Sequence, residues 1–327
     1  MRRSTLIFAT ALAALLSLAL GLQGSAQAQQ PFPSRPIKFI VPYPPGASTD
    51  NIARAFAQEL SKELKTPVVV ENRPGAGNAV GALAFKSQPA DGYTLMFQTT
   101  ELFASKLANP ALGYEFSDFE VIAPLARTPF TLIVPASNKT KTLDELKAHA
   151  AKKNNELDFG SLGLGANLYT MLSRTLSEQL RVKPNMIPYK GGMEGLTAVM
   201  SGQIDAYLAT VGLTYQQKDN PKIDILALTS DGSTNPFFPN LKSFKELGIK
   251  DMVFYSLYGV VVRPDTPEAI KTQLKQAARL VNDSEEMKRI RRQIALEEFP
   301  ASLDEFNAEV RNVIQRMRAA YEQEQKH

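Results

Sequence analysis

Two short stretches hold the residues whose types and spacing suit chemistry, and that chemistry is anion capture. The first reads Pro42, Tyr43, Pro44, Pro45, Gly46, Ala47, Ser48, Thr49, Asp50. Its prolines hold Tyr43 extended, Gly46 can take a φ closed to other residues, and Ser48, Thr49 and Asp50 are helix-cap types. Ile52, Ala53, Phe56, Ala57 and Leu60 then recur at helical spacing, so a helix begins here. Its first N–H groups lack intrahelical partners and, with the helix dipole, suit a carboxylate or phosphate. The plainer alternative is that Ser48 or Asp50 caps the helix and binds nothing.

The second stretch reads Gly160, Ser161, Leu162, Gly163, Leu164, Gly165, Ala166, Asn167 and repeats that logic. Glycines let the backbone approach a ligand, and Asn167 can cap the helix that follows. Gln98, Thr99 and Thr100 close a strand with polar groups that would meet residues 43–50 beyond the strands' carboxyl ends. Asp205 either orients water or backbone in such a cleft or is an ordinary turn aspartate. Lys190, beside Gly191 and Gly192, could pair with an anion, although a solvated lysine is the commoner use.

Other chemistries find little support. His149 and His327 are the two histidines, and there is no cysteine. Neither G-x-S-x-G, the P-loop pattern nor H-E-x-x-H is present, so no enzyme, catalytic residue, metal or cofactor is expected. Gly75, Gly77 and Gly81 miss the dinucleotide fingerprint, which would need glycine at Val80. Lys and Arg number 37 against 33 Asp and Glu, a net charge of +4, too balanced to argue for nucleic acid. Without cysteine there is no disulfide and no lipidated anchor.

The elements that must position these residues alternate strand and helix. Residues 37–41, 67–70 and 93–97 read as strands around helices after Ser48 and over 79–86, which implies parallel βα units. Residues 121–125 and 130–134 read as two strands leading into a second part. There the alternation restarts, with helix 143–151, strand 157–159, helix 168–180, strand 186–189, helix 196–200 and strands 206–209 and 223–228. Residues 255–262 look like the return. Helices over 268–282, 285–295 and 303–324 finish the chain, with Arg289, Arg291 and Arg292 read as a solvated basic face. At the other end, Met1, Arg2 and Arg3 precede an apolar run and Ala26-Gln27-Ala28, the pattern of a cleavable signal peptide over residues 1–28. A free periplasmic protein is expected.

Several of these motifs, in this order, carry a family resemblance. Val41-Pro42-Tyr43-Pro44-Pro45-Gly46, Glu71-Asn72-Arg73-Pro74-Gly75-Ala76-Gly77, Asp91-Gly92-Tyr93-Thr94-Leu95, Tyr189-Lys190-Gly191-Gly192 and Gly202-Gln203-Ile204-Asp205 resemble the Bug family. These are periplasmic solute receptors of tripartite tricarboxylate transporters. The resemblance implies an α/β fold of the two-domain periplasmic-binding-protein class, a type II-like Venus flytrap. Its parallel-sheet βα domains would be joined by two crossing strands, residues 29–126 plus 256–327 forming domain I and 127–255 domain II.

It also implies a monomeric receptor that closes on a small organic acid and delivers it to membrane permease subunits. Carried onto this sequence, the carboxylate would meet Tyr43, Gly46, Ala47, Ser48, Thr49, Asp50, Thr99 and Thr100 from one side. Ser161, Gly163, Gly165, Ala166, Asn167 and Asp205 would face it from the other. Ala47 and Asn78 stand where the family often has glycine, and Ala166 and Tyr169 where it often has Ser and His. Ala47 keeps its N–H and so preserves the anion site, while Ala166 and Tyr169 suggest a ligand that is aromatic or less densely charged than citrate. A receptor feeding a sensor kinase is the alternative, and a periplasmic enzyme a remoter one.

Overall fold

The computed structural model describes residues 31–46, 48–162, 168–232 and 234–324. The expected leader lies outside them, as do Ala47, Gly163, Gly165, Ala166 and Asn167. The chain begins with β1 (Ile37–Val41), α1 (Ser48–Glu63), β2 (Val68–Asn72), α2 (Ala79–Lys86), β3 (Thr94–Thr99) and α3 (Thr100–Ala108). β1 pairs in parallel with β2 and with β3, as consecutive βα units require. Ile37, Phe39 and Val41 turn one buried face toward α1, where Phe39 meets Phe56 at 5.9 Å between ring centroids. Ile40 and Met96 pack on the other side with Ala82 and Phe85 of α2.

Next comes β4 (Glu120–Pro135), read from the sequence as two runs and found as one 16-residue strand. Its first part pairs antiparallel with β9 (Tyr255–Val262), from Glu120↔Val262 to Pro129↔Tyr255. From Phe130 onward it pairs instead with β7 (Ala206–Thr210) and β8 (Ile223–Leu228). Register shifts between Val121 and Ala123 and between Pro124 and Ala126 explain how Pro124 sits within it. A bulged position needs no ladder N–H, so a proline bends the strand without ending it.

The remaining elements are α4 (Leu143–Ala151), β5 (Glu156–Leu162), α5 (Leu168–Leu180), β6 (Lys183–Tyr189), α6 (Gly192–Met200) and α7 (Val211–Tyr215). β5 pairs in parallel with β6 and β7, repeating the arrangement around β1. The strand order is β2-β1-β3-β9-β4-β7-β5-β6, with β8 on β4. Two parallel groups are thus joined through antiparallel β9 and β4.

Helices α8 (Glu268–Asn282) and α9 (Glu285–Gln293) pack against α1, and α10 (Leu303–Glu324) against α3, β4 and α5. The basic face expected on α9 is partly corrected. Arg289 is exposed, but Arg291 is buried and donates to the Leu125 carbonyl at 3.2 Å and to Asn282 Oδ1 at 2.7 Å. An arginine stem can line a core when its guanidinium finds carbonyl acceptors. Among the described residues, no helix is long and apolar enough to cross a membrane.

Candidate functional site

The loop after β1 is fixed by one buried carboxylate. Asp50 lies inside α1, one turn in, so it is no N-cap; its side chain turns back on the loop. Oδ2 accepts from the Gly46 N–H at 2.9 Å and from Arg54 Nε at 2.8 Å, and Oδ1 accepts from Asn72 Nδ2 at 2.7 Å. Asn72 Nδ2 also reaches the Tyr43 carbonyl at 3.0 Å, which ties β2 to the loop. Gly46 has φ +82°, a conformation a side chain would strain, so the turn expected there is present. Burial alone would raise the Asp50 carboxyl, but the hydrogen bonds from Arg54, Asn72 and Gly46 outweigh it and hold the group below its usual range. Protein donors engage both carboxylate oxygens. The structure therefore makes Asp50 the brace of the loop, where the sequence suggested a ligand contact.

What faces away from that brace is a set of hydroxyls and rings. Tyr43 Oη accepts from Asn78 Nδ2 at 2.8 Å and shares a hydrogen bond of 2.5 Å with Thr99 Oγ1 at the end of β3. Asn78 adopts φ 73°, a left-handed conformation that asparagine tolerates better than most residues, and its amide adds a donor. The Phe97 ring meets Tyr43 edge-on at 6.1 Å and Tyr258 of β9 at 6.1 Å. At the start of α3, Thr100 Oγ1 lies 3.1 Å from Ser256 Oγ, which in turn donates to the Glu101 carboxylate at 3.2 Å.

Residues of the second parallel group approach the same place. Tyr169, on the first turn of α5, stacks on Tyr207 at 6.0 Å and meets Phe130 edge-on at 5.6 Å. Burial pushes the Tyr169 phenol well above its ordinary value, and Tyr207, Glu101, Tyr258 and Tyr43 are near enough to add to that shift. Burial likewise raises Tyr43, with Glu101 as the next cause, and Tyr258 follows the same pattern. These phenols stay protonated and serve as neutral hydrogen-bond donors or acceptors. Tyr43, Thr99, Thr100, Glu101, Tyr169, Ser256 and Tyr258 therefore converge beyond the carboxyl ends of the parallel strands, the usual ligand position in such sheets.

A family model for the tripartite tricarboxylate transporter family receptor, TctC, matches residues 52–324. The chain belongs to that family. Among relatives of the receptor, BugT of Bordetella pertussis is 31% identical over 243 residues, spanning 73% of this chain and 74% of that protein. The periplasmic binding protein BugD superposes with a TM-score of 0.72 at 26% identity, covering 90% of this chain and 98% of its own. An R. palustris protein solved with adipate gives 0.77 at 25% identity, covering 89% and 97%. The two-domain Venus-flytrap fold implied by the sequence motifs is thus the receptor's fold, and solute binding is the work of its family.

In this receptor the other sequence-chosen residues divide sharply. Ser161 is buried at the carboxyl end of β5, and Thr49 lies in the first turn of α1. Asp205 sits at the amino end of β7, opposite the end where the phenols gather. It accepts from His149 Nε2 at 2.9 Å, Lys153 Nζ at 2.5 Å and the Asp158 N–H at 2.9 Å. Burial would raise its carboxyl, yet the donors at Asp158, Lys153 and His149 lower it on balance. That is the turn-aspartate alternative, a clamp joining α4 to β5. The Lys190 backbone N–H donates to Glu194 Oε2 at 3.0 Å. Sequence reasoning missed Glu101, Ser256 and Tyr258. Their only signal was position, immediately after a strand or within a crossing one.

Proposed function

We propose that the receptor captures a small organic acid in the periplasm and presents it to the permease subunits of a tripartite tricarboxylate-type transporter. The ligand's carboxylate meets the backbone N–H groups at the start of α1 and hydroxyls at Tyr43, Ser48, Thr49, Thr99 and Thr100. The glycine-rich segment before α5, with Ser161, Gly163, Gly165, Ala166 and Asn167, closes over it from domain II. The observation that carries this reading is the convergence of Tyr43, Thr99, Tyr258 and Tyr169 beyond the carboxyl ends of the parallel strands. Uncharged donors at a helix start recognise a carboxylate without an arginine clamp. The adipate bound by an R. palustris relative supports the acid class.

Domain I comprises residues 29–126 plus 256–327 and domain II residues 127–255, with hinge closure at the β4 and β9 crossings. The chain is exported by removal of residues 1–28 and works as a monomer, a binder and not an enzyme. A thermal-shift screen of the mature chain tests this, after unfolding and refolding to strip any co-purified ligand. The panel is mono-, di- and tricarboxylic and aromatic acids. Binding to the native state stabilises by about 2.7 kcal/mol at 100 times Kd. A selective shift with one acid class supports the reading; a well-folded protein that responds to none refutes it. Co-purification with permease subunits, and not with a sensor ectodomain, separates the transporter role from a signalling one.

A further inference from the structure

Glu101 is a carboxylate in a site meant for an anion. It is the second residue of α3, partly buried, at the carboxyl end of β3. Ser256 Oγ lies 3.2 and 3.5 Å from its two oxygens, and Thr100 Oγ1 lies 3.1 Å from that same serine oxygen. One hydroxyl proton from Ser256 is a thin complement for a full negative charge. Among the described residues, no lysine, arginine or histidine nitrogen comes within 4.0 Å of it. Other sheltered carboxylates are treated differently. Asp50 has Arg54, Asp205 has Lys153 and His149, and Glu297 has Arg127.

The surroundings of Glu101 are those that attract cations. Tyr43, Tyr258 and Tyr169 are close enough for its charge to bear on their phenols, and Phe97 lies between the first two. Aromatic faces and a carboxylate act together on a positive nitrogen and disfavour a second negative group. The α3 dipole offsets part of the charge in its first turn, which a merely structural role would also use. Such a role would not depend on what the ligand carries.

We propose that the acid taken by this receptor also bears a cationic nitrogen, an ammonium or its alkylated equivalent, and that Glu101 selects it. This rests on the carboxylate reading above. The carboxylate end lies at α1, the nitrogen faces Glu101 and Ser256, and dicarboxylates of equal length are disfavoured.

Calorimetric titration with matched probes tests the proposal: succinate against 4-aminobutanoate and adipate against 6-aminohexanoate, with hexanoate and benzoate as singly charged references. The wild-type protein is expected to bind at least one amino acid about tenfold tighter than its dicarboxylate partner. Glu101→Gln, which keeps the shape, should erase or reverse that ratio. A wild-type preference for the dicarboxylates, or a ratio untouched by Glu101→Gln, overturns the role of Glu101 and leaves carboxylate capture standing. Silence of the folded wild-type protein toward every probe overturns both. The wild-type comparison decides the matter by itself if the variant does not fold.

Discussion

Replacing Asp50 with alanine removes the brace of the binding loop. Three donors lose their acceptor: the Gly46 N–H at 2.9 Å, Asn72 Nδ2 at 2.7 Å and Arg54 Nε at 2.8 Å. Arg54 is half exposed and contributes roughly 0.5 kcal/mol or less. The other two bonds go to an ionised acceptor that is 1% exposed, and together account for about 2–3 kcal/mol. For a chain of this size the loss should lower Tm by about 4–6 °C. The pH dependence follows from the depressed carboxyl. A group with a lowered folded pKa stabilises fully above its unfolded value, near 3.9, and loses that stabilisation as pH falls through the folded value. Urea unfolding at several pH values should therefore show a constant gap between the wild-type protein and Asp50→Ala above roughly pH 5, closing in more acid solution. A gap under about 0.5 kcal/mol at pH 7, or one that widens on acidification, would refute the bracing role.

Two further substitutions probe how the scaffold holds the loop and the crossing strands. A Cβ at Gly81 would lie 2.7 Å from Pro42 Cβ and 3.1 Å from the Arg73 carbonyl. Neither can rotate away, so Gly81→Ala should cost about 1–3 kcal/mol by overpacking and displace Pro42, weakening ligand binding in the same titration. Arg127, on the β4 crossing, donates to Glu297 Oε2 at 3.0 Å and covers the Tyr255 ring at 4.2 Å. Arg127→Met leaves Glu297 with the Asn235 amide alone and should cost about 3 kcal/mol in urea unfolding at pH 8. Burial already raises the Glu297 carboxyl, ahead of the pull from Arg127. A raised folded pKa loses stability as pH rises through it, so the cost should be smaller at pH 5 than at pH 8.

Much of the scaffold was legible because local pattern and tertiary packing agree. The helices read over residues 79–86, 143–151 and 168–180 became α2, α4 and α5 with those bounds, and the runs over 223–228 and 255–262 became β8 and β9. Prediction failed where a local signal was overridden. The sequence suggested a break between Leu125 and Phe130, where Pro129 lies, yet β4 runs through it with Pro129 opposite Tyr255. Thr99 has the side chain of an N-cap, but its hydroxyl serves Tyr43 and makes no cap bond, so the start of α3 carried no readable signature. In the site, backbone logic located the loop after β1 but not the direction of its side chains. Asp50 turns inward to Asn72, across a separation of 22 residues, and Tyr258 reaches the site only because β9 returns beside β3. Such pairings belong to the topology and leave no short motif.

The central claim is that one acid is gripped by loops from both parallel groups. Hydrogen–deuterium exchange, with and without the acid that gives the largest thermal shift, tests it most directly. The account predicts slowed exchange at residues 46–50 and 99–101 together with residues 160–169, and little change at the amino end of β7 around Asp205. Protection confined to one of the two groups, or centred on Asp205, would contradict it.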